Sequence, residues 1–405
     1  MSAAPGRPGE IARVVAVTTA AVGVVVTFLA SDHPVVNLAL LLVAVPGWLA
    51  SRRWTAGPLD EPFGLFVTHR RPAVATLVLL MLAVPFFLRD SPYWQFVLVL
   101  AGIHAVMAIG LNLQVGSAEM VNLGIAGFAG IGAYVSATLA KFVGISPWFG
   151  LIAGGAASAL VGVALGLPTA HTRGYYFSLV TIAFGIIVYL LIVNAPWIGG
   201  PSGLLGVPTF HALGTSFREP ISLAGVVLPY QARYYYLVAI VLAMSAVAAT
   251  RLYHSPGGLF WNALREDEIA TRTLGIDVAR AKLWAMAFGN FFAGAGGALF
   301  AHTVGFIAPD NFTFLHSVML VSMVILGGMD NVPGVIAGAV VLTIVPEKFR
   351  AFQDYRLLFY GLVVVLMLHF RPQGLFPRTD RRYPLPPQVA ARGTAVVVGN
   401  ATTAD

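Results

Sequence analysis

Apolar runs long enough to cross a membrane recur along the whole chain, separated by short polar connections. A bilayer core about 30 Å thick requires roughly 17 to 25 apolar residues in a helix. The pattern therefore predicts an all-α, polytopic transmembrane helical bundle of ten to twelve membrane segments. Two runs are short and rich in Gly and Pro, and these are predicted to be half-helices or re-entrant pieces. The candidate runs are 11–30, 35–50, 72–88, 92–113, 117–140, 147–170, 175–194, 233–250, 282–304, the short 313–328 and 334–346, and 355–370.

The composition excludes a soluble fold. Hydrophobic residues make up 58% of the chain and charged residues only 10%, whereas roughly a quarter of the residues of a soluble domain are charged. The net charge of +7 does not indicate nucleic acid, because the basic residues flank the apolar runs. With the N-terminus in the cytoplasm, 17 of the 24 lysines and arginines lie on the inner side. The positive-inside rule thus predicts a multi-pass protein of a bacterial inner membrane with both termini cytoplasmic.

The same pattern predicts how the chain is organised. Residues 1–71 form an N-terminal extension with two transmembrane helices, and 72–371 form the core. Within the core, 195–232 is a long outer connection and 251–281 is the longest inner loop. The polar tail 372–405 is rich in Pro, Arg and Ala, so we expect it to be largely disordered.

The inner loop has the pattern of a short amphipathic helix. Leu264, Ile269 and Leu274 recur near helical spacing among charged residues, and Gly275 supplies a stop signal. A helix of this kind suits insertion into a groove on a partner protein. It is equally typical of a surface helix that rests on lipid headgroups or on its own bundle.

Several segments of the core, in consistent order over about 72–371, resemble a known family. They are GLNLQVGSAEMVNLGIAGFAGIGAY at 110–134, GGPSGLLGVP at 199–208, ALREDEIATRTLG at 263–275, GFIAPDNFTF at 305–314 and VILGGMDNVPGVIAGA at 324–339. The chain resembles the longer of the two paired permeases of high-affinity branched-chain amino acid ABC importers. The resemblance implies that the inner loop is the coupling helix that docks on the ATPase. The residues to which it gives this role, together with the adjacent charges, are Arg265, Glu266, Asp267, Glu268, Ala270 and Gly275.

The resemblance implies a permease subunit that forms the path for branched-chain or similar small amino acids. The implied partners are ABC ATPase subunits, a second and paralogous permease, an extracytoplasmic substrate-binding protein and membrane lipid, with no nucleic acid. Two alternatives stay open. One is a permease of the same type for urea or short amides, and the other is a secondary transporter driven by an ion gradient.

Two Gly-rich segments, 116–132 and 327–339, occupy corresponding parts of the two halves of the core. Each carries an Asn followed by closely spaced Gly and Ala residues. Interrupted helices in matched positions indicate a central pathway, although close helix packing through small residues gives the same pattern. The predicted path residues are Glu119, Asn122, Gly124, Gly127, Asn290, Gly328, Asn331 and Gly334.

Polar side chains in or beside the apolar runs have a second interpretation. Glu119 is costly inside a membrane unless it faces a cavity or a partner, but it would be unremarkable at the boundary in water. The histidines 104, 302 and 316 are read as hydrogen-bonded packing residues.

Catalytic chemistry has no support in the sequence. The chain has no cysteine, and none of its three lysines, Lys141, Lys282 and Lys348, follows a glycine as a phosphate-binding loop requires. We therefore expect a transporter subunit without its own ATPase site, catalytic residues, metal or cofactor.

Overall fold

The computed structural model describes residues 70–169, 175–212, 214–223, 226–348 and 374–376, together with isolated helical positions at 19, 23, 27, 361, 362, 365 and 369. The predicted crossings 11–30, 35–50 and 355–370 therefore lie outside the described residues, apart from those positions, as does almost all of the extension 1–71. The helices are α1 Arg70–Phe87, α2 Pro92–Ala118, α3 Ile125–Thr138, α4 Pro147–Thr169, α5 Tyr175–Val193, α6 Gln231–Tyr253, α7 Pro256–Glu266, α8 Glu268–Thr273, α9 Val278–Val304, α10 Phe314–Gly327 and α11 Val332–Lys348.

The bundle is built around α9, which packs against α2, α3 and α4. Both α2 and α9 have 27 residues, which at 1.5 Å per residue is about 40 Å of helix. Small residues such as Gly132 and Gly294 let α3 and α9 approach closely, because a Cβ on Gly132 would lie 2.2 Å from the Gly294 carbonyl oxygen. The core of the molecule is thus a set of apolar helices held by close backbone contacts.

Within the described residues, seven helical segments are long and apolar enough to cross a membrane. The protein itself covers most of the interior helices: 83% of the apolar segment of α2 is buried. In the outer helices α5 and α6, only 22% of the corresponding segment is buried. Exposed apolar side chains on α5 include Leu179, Ile187 and Leu191. Helices that are apolar on their outer faces fit a lipid environment, so the prediction of a polytopic transmembrane bundle is confirmed.

The two ends of α9 mark the two ends of the part of the bundle that the structure describes. The end that carries α7 and α8 is called the loop end, and the opposite end is called the hairpin end. At the hairpin end lie short antiparallel pairs: β1 (Leu204–Leu205) with β6 (Phe306–Ile307), β2 (His211–Ala212) with β3 (Thr215–Ser216), and β4 (Ile221–Leu223) with β5 (Val226–Leu228). The predicted outer connection 195–232 therefore has structure of its own.

Several helix boundaries differ from those predicted. The helix predicted at 92–113 continues to Ala118 and includes Gly116 and Ser117. The predicted crossing 117–140 becomes helical only at Ile125. The single amphipathic helix predicted in 251–281 is wrong: extended backbone at Asp267 separates α7 from α8. Gly275, in contrast, has the positive φ of 80° that suits a helix stop.

The predicted apolar stripe of the loop is only partly correct. Leu264 is buried, but Ile269 and Leu274 are 60% and 76% exposed, because the break at Asp267 turns α8 away from the direction of α7. At the start of the predicted tail, the backbone N–H groups of Leu375 and Phe376 donate to the carbonyls of Leu326 and Gly327. This part of the tail is therefore packed on the end of α10, and most of the remaining tail lies outside the described residues.

Candidate functional site

The chain between α2 and α3, residues 119–124, is called the first break. Helix α2 ends at Ala118, and the next residue, Glu119, has a φ of 52° and donates its backbone N–H to the Gln114 carbonyl. The side-chain oxygen of Asn122 then accepts a hydrogen bond from the Gly124 N–H at 3.0 Å. This bond satisfies a backbone donor near the start of α3, as an N-terminal helix cap does. The first break thus brings a polar side chain into the interior of the bundle.

Asn122 belongs to a buried group of three amides, the amide cluster, with Gln114 on α2 and Asn290 on α9. Gln114 Nε2 donates to Asn290 Oδ1 at 2.9 Å, and Asn122 Nδ2 donates to Gln114 Oε1 at 2.8 Å. All three side chains have no solvent exposure. The Nδ2 donor of Asn290 has no hydrogen-bond partner within the described residues and faces Gly162 of α4, where a Cβ would lie 2.1 Å away. The structure thus joins two predicted path residues, Asn122 and Asn290, with Gln114.

The chain between α10 and α11, residues 328–331, is called the second break. Gly328 ends α10 with a φ of 110°, and Asp330 has a φ of 68°. Asn331 Oδ1 accepts a hydrogen bond from the Gly334 N–H at 3.1 Å near the start of α11. Asn122 and Asn331, which the sequence matched to each other, therefore each accept a hydrogen bond from a glycine N–H near the start of a helix. Asn331 directly precedes α11 and bonds three residues ahead, whereas Asn122 bonds two residues ahead to Gly124, which directly precedes α3.

The predicted path glycines lie where backbones come close together. A Cβ on Gly124 would stand 2.1 Å from the Thr181 carbonyl oxygen, one on Gly127 would stand 3.1 Å from the Gly185 Cα, and one on Gly334 would stand 2.4 Å from the Gly327 carbonyl oxygen. Gly328 is required for its positive φ. The structure thus gives these glycines a packing role, and their role in a path stays a prediction.

At the loop end, two side chains cap the short helices. Ser255 Oγ accepts from the Gly258 N–H at 3.3 Å at the start of α7. Asp267 Oδ1 accepts from the N–H groups of Ile269 and Ala270, at 2.7 and 3.0 Å, at the start of α8. Asp267, predicted as a coupling residue, therefore stabilises the fold of the loop itself, while Ala270 is exposed.

The charged residues of the loop face in different directions. Glu266 is exposed, whereas Glu268 forms ion pairs with Arg272 at 2.7 Å and with the buried Lys282 at 3.1 Å. Arg265 points into the bundle, where its Nη1 donates to the Gly116 carbonyl at 2.5 Å.

A cavity of about 290 Å³ lies at the loop end. It is lined both by predicted coupling residues and by one predicted path residue, Glu119. Glu119 is exposed and lines this cavity, and its role in a path stays a prediction. The residues that line the cavity are Ala118, Glu119, Met120, Thr169, Phe177, Leu264, Arg265, Glu266, Asp267, Glu268 and Lys282.

The sequence analysis did not single out Asp330. Its carboxylate is 1% exposed and lies 3.7 Å from Arg265. A signal was present, because Asp330 is an acid between two apolar runs, and ionisable residues inside membrane segments are rare and functional. Two of the histidines agree with the interpretation of hydrogen-bonded packing: His302 contacts the Pro208 carbonyl at 2.6 Å and Ser136 Oγ at 2.8 Å, and His104 Nδ1 lies 3.2 Å from Thr343 Oγ1. The Nε2 atom of His316 has no hydrogen-bond partner within the described residues.

Comparison with known proteins gives a consistent result. Residues 93–368 match the family model described as "Branched-chain amino acid transport system / permease component". The chain is 39% identical over 290 residues, covering 68% of each chain, to the high-affinity branched-chain amino acid transport system permease protein LivM of Salmonella typhimurium. It is 38% identical over 316 residues to LivM of Escherichia coli, covering 75% of this chain and 74% of that protein.

A more distant relative is a probable branched-chain amino acid transport permease protein LivM of Methanocaldococcus jannaschii. It is 25% identical over 239 residues, which cover 54% of this chain and 64% of that protein. No solved structure matches the chain. The family model spans the amide cluster, both breaks and the α7–α8 loop, so the chain belongs to the family of branched-chain amino acid transport system permease components.

Proposed function

We propose that this chain is the membrane-spanning permease subunit of an ATP-driven importer and forms the path for branched-chain or similar small amino acids. The observation that carries the proposal is the family match over residues 93–368, together with 38 to 39% identity to two LivM permeases. A multi-pass helical bundle is the architecture that such a subunit needs.

The ATPase subunits dock on the α7–α8 loop in this proposal. The loop presents an exposed carboxylate at Glu266 and an exposed small residue at Ala270. Its internal contacts make it a rigid projection, because Asp267 caps α8 and Glu268 is tied to Lys282 on α9. A rigid surface loses little conformational entropy when it binds a partner.

The amide cluster is the proposed polar part of the path. A zwitterionic amino acid needs hydrogen-bonding groups for its charged ends and apolar walls for its side chain. Asn290 supplies a buried amide donor, and the surrounding faces of α2, α3 and α9 are apolar. An opening movement of the bundle would expose the cluster, and a separate extracytoplasmic binding protein would make the first selection of the substrate.

The orientation in this proposal places the loop end in the cytoplasm and the hairpin end outside a bacterial inner membrane. This arrangement follows the positive-inside bias of the sequence. A second, paralogous permease completes the membrane part of the importer.

The test is uptake by proteoliposomes that contain the complete importer. We expect ATP-dependent uptake of labelled leucine that excess unlabelled leucine abolishes and excess urea leaves unchanged. Competition by urea, or uptake that follows an ion gradient without ATP, would contradict the proposal.

Charge reversal at the loop then tests the docking role. Glu266→Lys should lower substrate-stimulated ATP hydrolysis by about tenfold, a loss typical of one interfacial residue, while the subunit still inserts into the membrane. The matched control is Asp90→Lys, because Asp90 is an exposed acid at the opposite end of α2. Glu268→Lys is a poorer test, since it also leaves the buried Lys282 without its carboxylate. Unchanged hydrolysis in Glu266→Lys would remove this residue from the docking surface.

A further inference from the structure

Arg265 lies in a loop with an exposed surface, yet its side chain faces the bundle. Its side chain is 16% exposed, while the next residue, Glu266, is exposed. The guanidinium donates to the Gly116 carbonyl at 2.5 Å and lies 3.7 Å from Asp330 Oδ2. A cation in this place connects α7 with two other elements, the end of α2 and the second break.

Asp330, which pairs with Arg265, also forms several hydrogen bonds. Its Oδ1 accepts from Ser117 Oγ at 3.0 Å, and its backbone N–H donates to Asn112 Oδ1 at 2.8 Å. The amide of Asn112 in turn donates to the Tyr253 hydroxyl at 2.8 Å, at the end of α6. A buried carboxylate is costly unless it is paired and hydrogen-bonded. The contacts of Asp330 with Ser117, Asn112 and Arg265 therefore hold the second break against α2 and α7.

The contact between α2 and the second break has no free space. A Cβ on Gly116 would lie 2.6 Å from Asn112 Oδ1 and 2.7 Å from the backbone nitrogen of Asp330. Asn331, the next residue after Asp330, caps the start of α11. A displacement of Asp330 must therefore displace the start of α11, because the two are joined by a short, fully packed piece of backbone.

We propose that Arg265 and Asp330 are positioning residues that transmit the movement of α7 to the second break and so to α10 and α11. This inference rests on the proposed function, because it needs an ATPase that displaces the α7–α8 loop. In this inference, Arg265 contacts the helix bundle from the α7–α8 loop, whereas Glu266 on the same loop faces the ATPase. The pair couples the motor to the helices and does not touch the substrate.

Two substitutions each remove one charge of the pair. Asp330→Asn keeps the side-chain volume and an oxygen for Ser117, and Asn is one of the residues that best tolerate a positive φ. Arg265→Gln removes the cation. Arg280→Gln is the matched control, because Arg280 also forms an ion pair, with Asp277 at 3.0 Å, but is 82% exposed, and exposed pairs contribute little.

The readout is the amount of leucine imported per ATP hydrolysed by the complete importer in proteoliposomes. We expect this ratio to fall about tenfold in Arg265→Gln and in Asp330→Asn, which is the loss typical of one hydrogen-bonded charge. The double variant should be no worse than either single variant, because both substitutions break the same connection. ATP hydrolysis and the Arg280→Gln control should stay near the wild-type level.

Some results would overturn the inference. An unchanged ratio, additive losses in the double variant, or a parallel loss of uptake, hydrolysis and thermal stability would leave the pair with a purely structural role or none. If the wild-type importer carries no amino acid, the proposed function fails, and a second measurement still tests the pair.

That measurement uses the absence of cysteine from the chain. Spin labels at Leu259→Cys on α7 and Met329→Cys in the second break occupy positions that are 43% and 38% exposed. We expect one narrow distance distribution between the labels with and without ATP, and a broad distribution once Arg265→Gln is added. A distance that changes with ATP while Arg265 is intact would show that α7 moves independently of the second break.

Discussion

The first and second breaks share one backbone device. In each, an acidic residue adopts a positive φ, 52° at Glu119 and 68° at Asp330. In each, an Asn side chain then accepts a hydrogen bond from a glycine N–H near the start of the next helix, at 3.0 Å for Asn122 and 3.1 Å for Asn331. The two halves of the core thus interrupt their helices with the same kinds of residue, although the acid lies three residues before Asn122 and directly before Asn331.

The environments of the two breaks differ in charge. The first break contributes Asn122 to a buried cluster of neutral amides, while Glu119 remains exposed. In the second break the acid itself is buried, and Asp330 is paired with Arg265 on α7. Neutral amides offer hydrogen bonds to a passing zwitterion at a modest desolvation cost, whereas a buried ion pair fixes geometry. The first break therefore fits the binding role proposed for the amide cluster, and the second break fits the proposed transmission of movement.

The largest expected effect is common to both breaks. Gly124→Val and Gly334→Val each place a side chain within 2.1 to 2.4 Å of a backbone carbonyl oxygen, which cannot move aside cheaply. The free energy of unfolding should fall by more than about 3 kcal/mol, so that little folded protein elutes from size-exclusion chromatography in detergent. Gly257→Ala is the control, because its Cβ meets nothing closer than Ser255 Oγ at 3.5 Å. A folded Gly124→Val or Gly334→Val protein would show that the corresponding break is not packed as described.

The two asparagines should differ in their importance for stability. Asn122→Ala removes the hydrogen bond to the Gly124 N–H and strips hydrogen bonds from the buried Gln114 and Asn290, so the free energy of unfolding should fall by about 3 kcal/mol. Asn331→Ala should cost about 1 kcal/mol, the value of a helix cap. Denaturant titration of the purified proteins measures both losses. Equal losses would mean that the amide cluster contributes nothing beyond the hydrogen bond from the Gly124 N–H to Asn122.

The sequence predicts the breaks better than it predicts the contacts around them. The positions of Asn122 and Asn331 follow from local signals, an Asn close to glycines within an apolar run. The direction of Arg265 does not, because it depends on the carbonyl of Gly116, which is distant in the sequence. Neighbouring helical residues point about 100° apart, so the placement of Glu266 outside and Arg265 inside requires knowledge of what packs against α7.

Lys282 shows the same limit. In the sequence it is the first residue of the apolar run 282–304, but the structure buries it against Glu268. The long aliphatic stem of a lysine permits either outcome. Hydropathy therefore locates the helices and their order, while the pairing of individual charges depends on tertiary contacts.

The smallest expected effect comes from substitutions of Glu119, which distinguish the contribution of its backbone conformation from that of its charge. Glu119 combines a φ of 52° with an exposed side chain. Glu119→Asn keeps a residue that tolerates a positive φ and should change the free energy of unfolding by less than about 0.5 kcal/mol. Glu119→Val removes the same charge but places a β-branched residue in this conformation, which should cost about 1 to 3 kcal/mol. Denaturant titration again gives both values, and a loss in Glu119→Asn as large as that in Glu119→Val would show that the exposed charge, and not the backbone, holds the first break.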